Sequence, residues 1–588
     1  MIFPVPVQIN LKDKSYKLKT SYPTDDLYKF YLEAKDAKED FYYETDYSLG
    51  EEEHKIIVDA NGIKVISSAE VGKFRALTSV FQMVAKSSDI KHCEIFDKPQ
   101  FKKRGYMLDI SRSKMPTVKT IFGYIDYLAG LKYNEFQLYM ESFVYKYDRY
   151  AKYTADFDCL DAEDIKAIEK YCEDRFIELV PNQNGFGHMS AWLEKDEFKH
   201  LALSDGQHKS GTLNPLDPKS IEFVDGFYES LLPHFKSGFV NVGLDEAGEL
   251  GQYQSEEACK EYGRENVFLD YFIKLSNLIR EKYGKRSMFW NDMIVENPDC
   301  FHRIPKDAIA LEWDYEYIQS QKMADRCRDM HERGIEYYVC PSVNTHLSFT
   351  GRFDVTSFNV RTCGEVGRKH GALGYLLTDW SNTACPHFQY TAVLPGALAA
   401  QYAWNVGVDQ DGETFKTEYI YGAEDYCDDF VFGGAKLSRL LYRLANYYLL
   451  EPERVHVGTM CGETFFMPMK CEPTKFINLD KCGDSFYFNN VDRYVREVMA
   501  QIEKVDCEPV LKREILLNGK MVLFANMLND IRIRNEISQC EYDKWISLAK
   551  EIEEEFTTLW DLKNFAKGKE EYLKALDDRC KELHDYIR

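Results

Sequence analysis

The sequence predicts an α/β protein: a (β/α)8 TIM barrel with a small α+β domain before it and an α-helical domain after it. Three observations support this fold class. Eight short β-rich runs alternate with helical patterns in the middle of the chain, which is typical of a closed parallel barrel. The first hundred residues read as strands followed by a helix, and the last part reads as helices alone. We place the domains at residues 1–98, 99–411 and 412–588.

The first region carries a strong hairpin signal. His54–Val58 and Ile63–Ser67 are β-rich and flank Asn61-Gly62, a dipeptide whose residues tolerate positive φ. Apolar residues then recur at helical spacing through 76–84. These patterns predict a small α+β domain.

Eight runs of the second region have the length and composition of barrel strands. They are Tyr106–Ile110, Glu135–Met140, Ile177–Pro181, Phe239–Leu244, Arg286–Trp290, Ala308–Trp313, Tyr337–Cys340 and Gly374–Thr378. Helical patterns separate them, and one begins at Asp217-Pro218 with an N-cap residue and a proline at the first helical position. In such a barrel the catalytic groups lie at the carboxyl ends of the strands.

The third region shows two apolar stripes at helical spacing. They consist of Leu437, Leu440, Leu441 and Leu444, and of Val491, Tyr494, Val495 and Val498. A domain that packs against the barrel is the simplest interpretation.

Composition and charge exclude several classes of function. Hydrophobic residues make up 45% of the 588 and charged residues 29%, which is typical of a folded globular chain. Acidic residues outnumber basic ones by 97 to 74, a net charge of −23, so nucleic acid and membrane surfaces are poor partners. The beginning of the chain does not read as a signal peptide, and no apolar run is long enough to cross a bilayer. We therefore expect a cytoplasmic protein whose 16 cysteines are free thiols.

An acidic pair follows the fourth strand. The run Val240-Asn241-Val242-Gly243-Leu244 leads directly into Asp245 and Glu246, which places both carboxyls at the mouth of the barrel. Partial burial there raises the pKa of a carboxyl toward neutrality, as a general acid requires. Asp245 and Glu246 are therefore the candidate catalytic residues.

Tryptophans stand at the ends of three other strands. Trp290, Trp313 and Trp380 end strands five, six and eight, and the chain has only seven tryptophans. Barrel interiors are normally filled by branched aliphatic side chains. Flat aromatic walls with a few polar groups suit a sugar, whose C–H faces stack on indole while its hydroxyls take hydrogen bonds.

Together these motifs resemble glycoside hydrolase family 20, the β-N-acetylhexosaminidases. The resemblance rests on Arg104-Gly105-x-Met107-Leu108-Asp109-x-Ser111-Arg112, Gly187-His188, Gly243-x-Asp245-Glu246 and Thr378-Asp379-Trp380. It covers roughly residues 50 to 410, and the helical tail resembles that of a bacterial subgroup of exo-acting members. The resemblance implies hydrolysis of a small glycan that ends in an N-acetylhexosamine.

The resemblance also implies a mechanism without an enzyme nucleophile, in which the 2-acetamido oxygen of the substrate attacks the anomeric carbon. Glu246 would be the general acid and then the general base, and Asp245 would orient the acetamido group. Arg104 would hold sugar hydroxyls, since its planar fork donates two hydrogen bonds at once. Trp290, Trp313 and Trp380 would form the walls of the site.

The sequence departs from the family at two positions. His188 matches the family's histidine, but Met140-Glu141-Ser142-Phe143 replaces the aspartate pair that follows strand two in relatives, which leaves Glu141 as its candidate partner. Relatives also carry a tyrosine after strand seven that donates to the acetamido carbonyl. Asn344 or His346 stands near that place here, and a tyrosine from elsewhere is the other possibility. Asp379 is a further candidate for contacts with sugar hydroxyls.

The predicted function is thus an exo-acting β-N-acetylhexosaminidase that needs no cofactor and no metal. The alternative is a non-catalytic glycan-binding protein on a decayed barrel, which the two departures favour and the intact acidic pair opposes. A metal-dependent hydrolase built on His188, Asp245 and Glu246 is a third hypothesis, but HxH and HExxH spacings are absent. The sequence leaves open the choice between GlcNAc and GalNAc, the linkage, and whether the protein is a homodimer.

Overall fold

The computed structural model describes residues 2–317, 320–381, 386–407, 417–470 and 485–588. Eight strands close into a parallel barrel, a five-stranded sheet precedes the barrel, and helices follow it. The predicted fold class, an α/β barrel between a small α+β part and a helical part, is confirmed.

The N-terminal sheet has the strand order β1-β5-β3-β4-β2, in which β2 and β4 are parallel and the other pairs are antiparallel. Its strands are β1 (Gln8–Lys17), β2 (Phe41–Thr45), β3 (His54–Asp59), β4 (Gly62–Ser67) and β5 (Asp89–Asp97), and its helices are α1 (Leu27–Ala34) and α2 (Glu70–Lys86). The predicted hairpin is confirmed as β3 and β4. Gly62 is required there, because its φ is +141° and a Cβ would lie 2.7 Å from the Asp40 carbonyl oxygen.

The sequence analysis missed three strands of this sheet, β1, β2 and β5. Every residue of β1 except Tyr16 is exposed, and the polar–apolar alternation of its sequence stops after Gln8-Ile9-Asn10-Leu11, which is too short a signal for a strand of ten residues. The second half of β5 does alternate, with Cys93, Ile95 and Asp97 buried, and this period of two is a signal that could have located it.

All eight predicted barrel strands are present, in the order of the chain around the barrel, and β13 closes it by pairing with β6. They are β6 (Lys103–Asp109), β7 (Glu135–Met140), β8 (Glu178–Gln183), β9 (Phe239–Asn241), β10 (Arg286–Trp290), β11 (Ile309–Trp313), β12 (Glu336–Cys340) and β13 (Gly374–Asp379). Strand β9 ends three residues earlier than predicted. Gly243 and Leu244 have φ of +72° and +79°, a conformation that leaves the strand ladder.

Helices connect the barrel strands and cover their outer face. The α-helices are α3 (Val118–Gly130), α4 (Ala151–Thr154), α5 (Ala162–Glu173), α6 (Ser190–Leu193), α7 (Pro218–Leu231), α8 (Glu256–Tyr262), α9 (Arg264–Tyr283), α10 (Ser320–Glu332), α11 (Phe353–Lys369) and α12 (Tyr390–Trp404). Helix α7 begins as predicted, with the Asp217 side chain accepting a hydrogen bond from the Lys219 amide.

The C-terminal part is helical, as predicted. Its helices are α13 (Thr417–Tyr426), α14 (Ser438–Ala445), α15 (Met460–Phe465), α16 (Phe486–Ile502), α17 (Pro509–Arg534), α18 (Gln539–Lys563) and α19 (Lys569–Leu583). The stripe around Val491, Val495 and Val498 is buried on α16. The predicted boundary at residues 411 and 412 lies outside the described residues.

Buried ions join the N-terminal sheet to the base of the barrel. The Asp97 carboxylate on β5 accepts hydrogen bonds from Lys132 Nζ at 2.7 Å and from Trp404 Nε1 at 2.8 Å. The side chains of Asp97 and Lys132 are fully buried. Glu52 likewise accepts from Arg104 at 2.6 Å and from Arg75 at 2.8 Å. Each of these charges depends on a partner from another part of the chain.

Thirteen cysteines fall among the described residues, and all are free thiols. Cys385, Cys471 and Cys482 lie outside that set. In the described ranges, none of the helices is both long and apolar enough to cross a bilayer.

Candidate active site

A cavity of about 290 Å³ opens at the carboxyl ends of the barrel strands, where the sequence places the site. Its walls combine carboxylates, aromatic rings and two histidines. They are Arg112, Asp245, Glu246, Trp290, Trp313, Tyr315, His346, Trp380, His456 and Val457. The pocket therefore brings together Asp245, Glu246 and the three predicted tryptophans.

A strained turn after β9 carries the two candidate catalytic carboxylates. Leu244 and Glu246 both have positive φ, +79° and +48°, which is uncommon for residues with a side chain. Gly187 allows the neighbouring loop to approach, because a Cβ at this position would lie 2.2 Å from the Asp245 carbonyl oxygen. Asp245 is buried, whereas the Glu246 side chain is 57% exposed. The turn thus directs two adjacent carboxylates into different environments.

His188 lies between these carboxylates. Its Nε2 is 3.2 Å from Asp245 Oδ2 and 3.3 Å from Glu246 Oε2. Burial alone would lower the pKa of His188, but the Asp245 charge and the contacts with both carboxylates outweigh it and raise that pKa to about 10. Burial would likewise raise the pKa of Asp245, yet the charged His188 brings it below its ordinary value. At neutral pH the pair is an imidazolium and a carboxylate.

A hydrogen-bonded chain extends from Asp245 to the loop after β7. Asn184 Nδ2 donates to Asp245 Oδ1 at 2.8 Å and lies 3.1 Å from the Tyr139 hydroxyl, which donates to Glu141 at 2.8 Å. Glu141 Oε2 is 4.0 Å from His188 Nδ1. The structure therefore brings Glu141 and His188 close together, with the direct hydrogen bonds of Glu141 made to other groups.

Arg112 is the arginine in the pocket. Its Nε donates to Glu141 Oε2 at 3.3 Å, and its guanidinium lies 4.6 Å from the centre of the Trp380 ring. It follows β6 at the carboxyl end, which is the end where the site lies.

The prediction for Arg104 is wrong on this geometry. Arg104 enters β6 at the opposite end of the barrel and is 1% exposed. Its guanidinium donates to Glu52, to the Lys132 carbonyl and to the Phe101 carbonyl, so its donors are engaged in the base of the barrel. Both arginines belong to the same nine-residue motif, and a strand separates them.

The aromatic walls are held by ring contacts and one hydrogen bond. The Trp290 and Trp380 rings lie 5.8 Å apart, and Tyr139 meets Trp380 edge-on at 4.7 Å. Tyr315 stacks on Trp313 at 4.9 Å, and its hydroxyl accepts a hydrogen bond from Trp380 Nε1 at 2.7 Å. A tyrosine thus faces the pocket from the loop after β11, which the sequence analysis did not locate.

Asn344 and Asp379 do not line the pocket, contrary to their prediction as substrate-binding residues. Asn344 is fully buried and accepts a hydrogen bond from Arg352 at 3.1 Å. Both Asp379 oxygens accept hydrogen bonds, from Tyr106 and from Thr345. His346, two residues after Asn344, does face the pocket. Burial and the nearby Arg352 charge lower the pKa of His346 to about 3, so its imidazole is neutral.

The helical C-terminal part supplies two residues of the pocket, His456 and Val457. Val457 has a φ of +54°, which is strained for a β-branched residue. Its amide donates to Glu316 Oε1 at 2.8 Å, and Arg352 donates to the same oxygen at 2.8 Å. No spacing or motif in the sequence linked this distant segment to the barrel mouth.

A second cavity of about 700 Å³ adjoins the first and shares four of its residues, Trp313, Tyr315, His456 and Val457. Asp292 lines the second cavity and accepts a hydrogen bond from the Glu246 amide at 3.0 Å. Burial and the Asp245 charge raise the pKa of Asp292 to about 7. The larger cavity therefore begins beside Glu246.

His188, Asp245 and Glu246 also present one metal-ligand atom each within 4.8 Å of one another, the only such group in the part of the chain that the structure describes. A metal needs the neutral form of histidine. The raised pKa of His188 opposes that form, because the proton is held by the same two carboxylates.

One family model matches most of the barrel. The model described as "Glycosyl hydrolase family 20, catalytic domain" matches residues 101–360, which begin just before β6 and include the acidic pair. The resemblance read from the sequence motifs is thereby confirmed.

Individual relatives are distant. The chain is 24% identical to a lacto-N-biosidase of Bifidobacterium bifidum, over 45% of this chain and 24% of that protein, and 23% identical to a beta-hexosaminidase of Vibrio furnissii, over 52% and 54%. It thus spans between a quarter and about half the length of these curated relatives. The solved chitobiase of Flavobacterium johnsoniae has a similar fold, with a TM-score of 0.59 and 15% identity over 96% of this chain and 98% of that one.

Proposed function

Because residues 101–360 belong to glycosyl hydrolase family 20, we propose that this chain is an exo-acting β-N-acetylhexosaminidase that releases terminal β-linked GlcNAc or GalNAc with retention of configuration. One observation carries the proposal. Asp245 and Glu246 are the only carboxylates among the described residues that line the catalytic pocket, and they are neighbours in the chain. A retaining pair with an enzyme nucleophile needs two carboxyls on opposite sides of the scissile bond. Neighbouring carboxylates suit a substrate that supplies its own nucleophile.

Asp245 is the residue that orients the substrate's acetamido group. It is buried and ionised, and Asn184 and His188 fix its two oxygens. Its carboxylate accepts the acetamido N–H and stabilises the positive charge that develops as the carbonyl oxygen attacks the anomeric carbon. Holding the acetamido oxygen near that carbon makes the attack intramolecular, which lowers its entropic cost.

Glu246 moves the protons. In the first step its carboxyl donates a proton to the glycosidic oxygen while the bond from the anomeric carbon to that oxygen breaks and the bond to the acetamido oxygen forms. In the second step its carboxylate takes a proton from water, whose oxygen attacks the anomeric carbon and opens the oxazolinium ring. Two displacements at the same carbon give retention. The exposed position of Glu246 suits a residue that must reach both a leaving group and water.

The other pocket residues hold the sugar. Arg112 replaces Arg104 in this role, and its guanidinium donates to sugar hydroxyls beside the Trp380 ring. Trp290, Trp313 and Trp380 enclose the ring and the acetamido methyl. Tyr315 is the tyrosine that donates to the acetamido carbonyl, since its hydroxyl lies in the pocket and accepts its own hydrogen bond from Trp380.

The larger cavity takes the rest of the glycan. It starts at Asp292, next to the backbone of the proposed acid, so it lies on the side of the leaving group. Its charged and aromatic lining can hydrogen-bond and stack against further sugar rings.

A panel of chromogenic β-glycosides tests the proposal. We expect release of the chromophore from the GlcNAc or GalNAc glycoside and none from the glucose and galactose glycosides, which lack the N-acyl group. NMR of the initial product should show the β-anomer. Equal rates on glucose and N-acetylglucosamine glycosides would contradict the mechanism, and saturable binding without release would favour the non-catalytic alternative.

A further inference from the structure

Residues 563–568, which we call the clamp, join α18 to α19 and lie against the loop after β6. The Thr117 amide donates to the Lys563 carbonyl at 2.9 Å, and the Phe565 amide donates to the Met115 carbonyl at 2.8 Å. Between them Pro116 and Asn564 form an antiparallel bridge. A segment more than 400 residues away in sequence thus pairs with the loop that follows the first barrel strand.

Two features of the clamp require this close approach. Gly568 has a φ of +85°, and a Cβ there would lie 1.4 Å from the Ser113 carbonyl oxygen. Lys567 Nζ donates to the Ser111 carbonyl at 2.5 Å and to Ser142 Oγ at 2.7 Å. The lysine therefore bridges the loops after β6 and β7.

These two loops carry Arg112 and Glu141. Ser111 Oγ accepts hydrogen bonds from the Glu141 amide at 2.7 Å and from the Ser142 amide at 2.9 Å, so the loops are already bonded to each other where Lys567 contacts them. Arg112 and Glu141 are the residues directly beside Ser111 and Ser142, and they bond to each other at the pocket.

Both hydrogen bonds of Lys567 go to uncharged acceptors, a backbone carbonyl and a serine hydroxyl, so they are not those of an ordinary surface ion pair. Burial lowers the pKa of Lys567 to about 8, against the opposing charges of Asp109 and Glu141. The amine therefore keeps its proton at neutral pH and donates to both loops as a charged group.

We propose that Lys567 is a positioning residue for substrate binding: from the C-terminal helices, it fixes the two loops that hold Arg112 and Glu141 at the pocket. The proposal rests on the proposed function for the role of Arg112. It means that the helical C-terminal part helps to position residues of the active site.

Steady-state kinetics of Lys567→Met on the chromogenic GlcNAc glycoside tests this role. We expect KM to rise roughly tenfold, because the loop that positions Arg112 loses a charge-assisted hydrogen bond. We expect kcat to change much less. Lys567→Arg should recover part of the lost affinity. Gly568→Ala, which pushes the clamp from Ser113, should raise KM in the same way. Lys574→Met, an exposed lysine on α19, is the matched control and should leave both constants unchanged.

Hydrogen exchange measures the effect of the clamp on the two loops independently of enzyme activity. The amides of residues 111–117 and 141–144 should exchange faster in Lys567→Met than in the wild type or in Lys574→Met. Unchanged KM together with unchanged exchange would overturn the proposal, as would a fall in activity that only follows the folded fraction. Faster exchange in a chain that hydrolyses no glycoside would uphold the clamp and reject the proposed function.

Discussion

His188 Nε2 lies 3.2 Å from Asp245 Oδ2, and the two groups form an imidazolium–carboxylate pair beside the pocket. The same Nε2 lies 3.3 Å from Glu246 Oε2, so one imidazolium contacts both neighbouring acidic side chains.

The pair of His188 and Asp245 should make the folded protein less stable as the pH rises above neutral. The pKa of His188 rises from an ordinary value of 6.5 to about 10 on folding, so its contribution is fully present below about pH 6.5 and is lost as the pH rises to about 10. We expect the difference in Tm between wild type and His188→Gln to shrink steadily across this window. A difference that is constant or grows with pH would contradict the assignment of charge.

Glu246→Gln tests the proton transfer. The amide keeps the size of the side chain but has no proton to donate, so kcat for a natural glycan should fall roughly 10²–10⁴-fold. The loss should be smaller for an aryl glycoside, whose leaving group needs little protonation. Glu257→Gln, an exposed change on α8, is the control. Equal losses on both substrates would contradict the role of Glu246 as the acid.

The two arginines of the first motif should behave differently. Arg112→Met should raise KM by roughly 10–100-fold, because it removes hydrogen bonds from a charged donor to the sugar. Arg104→Met should leave KM unchanged and destabilise the fold by about 3–5 kcal/mol, because Glu52 loses a buried partner. Thermal unfolding and steady-state kinetics of both variants test which arginine binds the sugar. A rise in KM for Arg104→Met alone would show that Arg104 is the sugar-binding arginine.

Removal of metal ions should not affect activity. The group His188, Asp245 and Glu246 could hold a cation only after the imidazole loses its proton, which the neighbouring carboxylates oppose. We expect unchanged kcat after exhaustive chelation. Loss of activity that a divalent metal restores would support the metal-dependent hydrolase instead.

The barrel was predictable because its strands are short and apolar, as Arg286–Trp290 is, and because helical patterns separate them regularly. The acidic pair was predictable because it directly follows a buried strand, and the tryptophans because they end their strands. The same rule distinguishes the two arginines: Arg104 enters β6 and Arg112 leaves it, and only the leaving end faces the site. The position of each arginine along β6, and not its place in the motif, therefore predicts which of the two lies at the pocket.

Other parts of the site depend on contacts that sequence patterns do not encode. His456 and Val457 come from the helical part and reach the pocket through a strained backbone and a hydrogen bond to Glu316. Asn344 and His346 are close in sequence and both polar, but a positive φ at Asn344 turns the chain so that only the histidine faces the pocket. Tertiary packing determines which of these side chains reach the pocket.

The buried bond between Lys132 and Asp97 has a practical consequence for anyone wishing to work with the barrel by itself. A gene trimmed to begin at residue 99 would remove Asp97 and Glu52 together, leaving the ammonium of Lys132 and the guanidinium of Arg104 without counter-ions at the base of the barrel. Stranded charges of this kind are strongly destabilising, so we expect the shortened product to collect in inclusion bodies rather than yield a minimal catalyst.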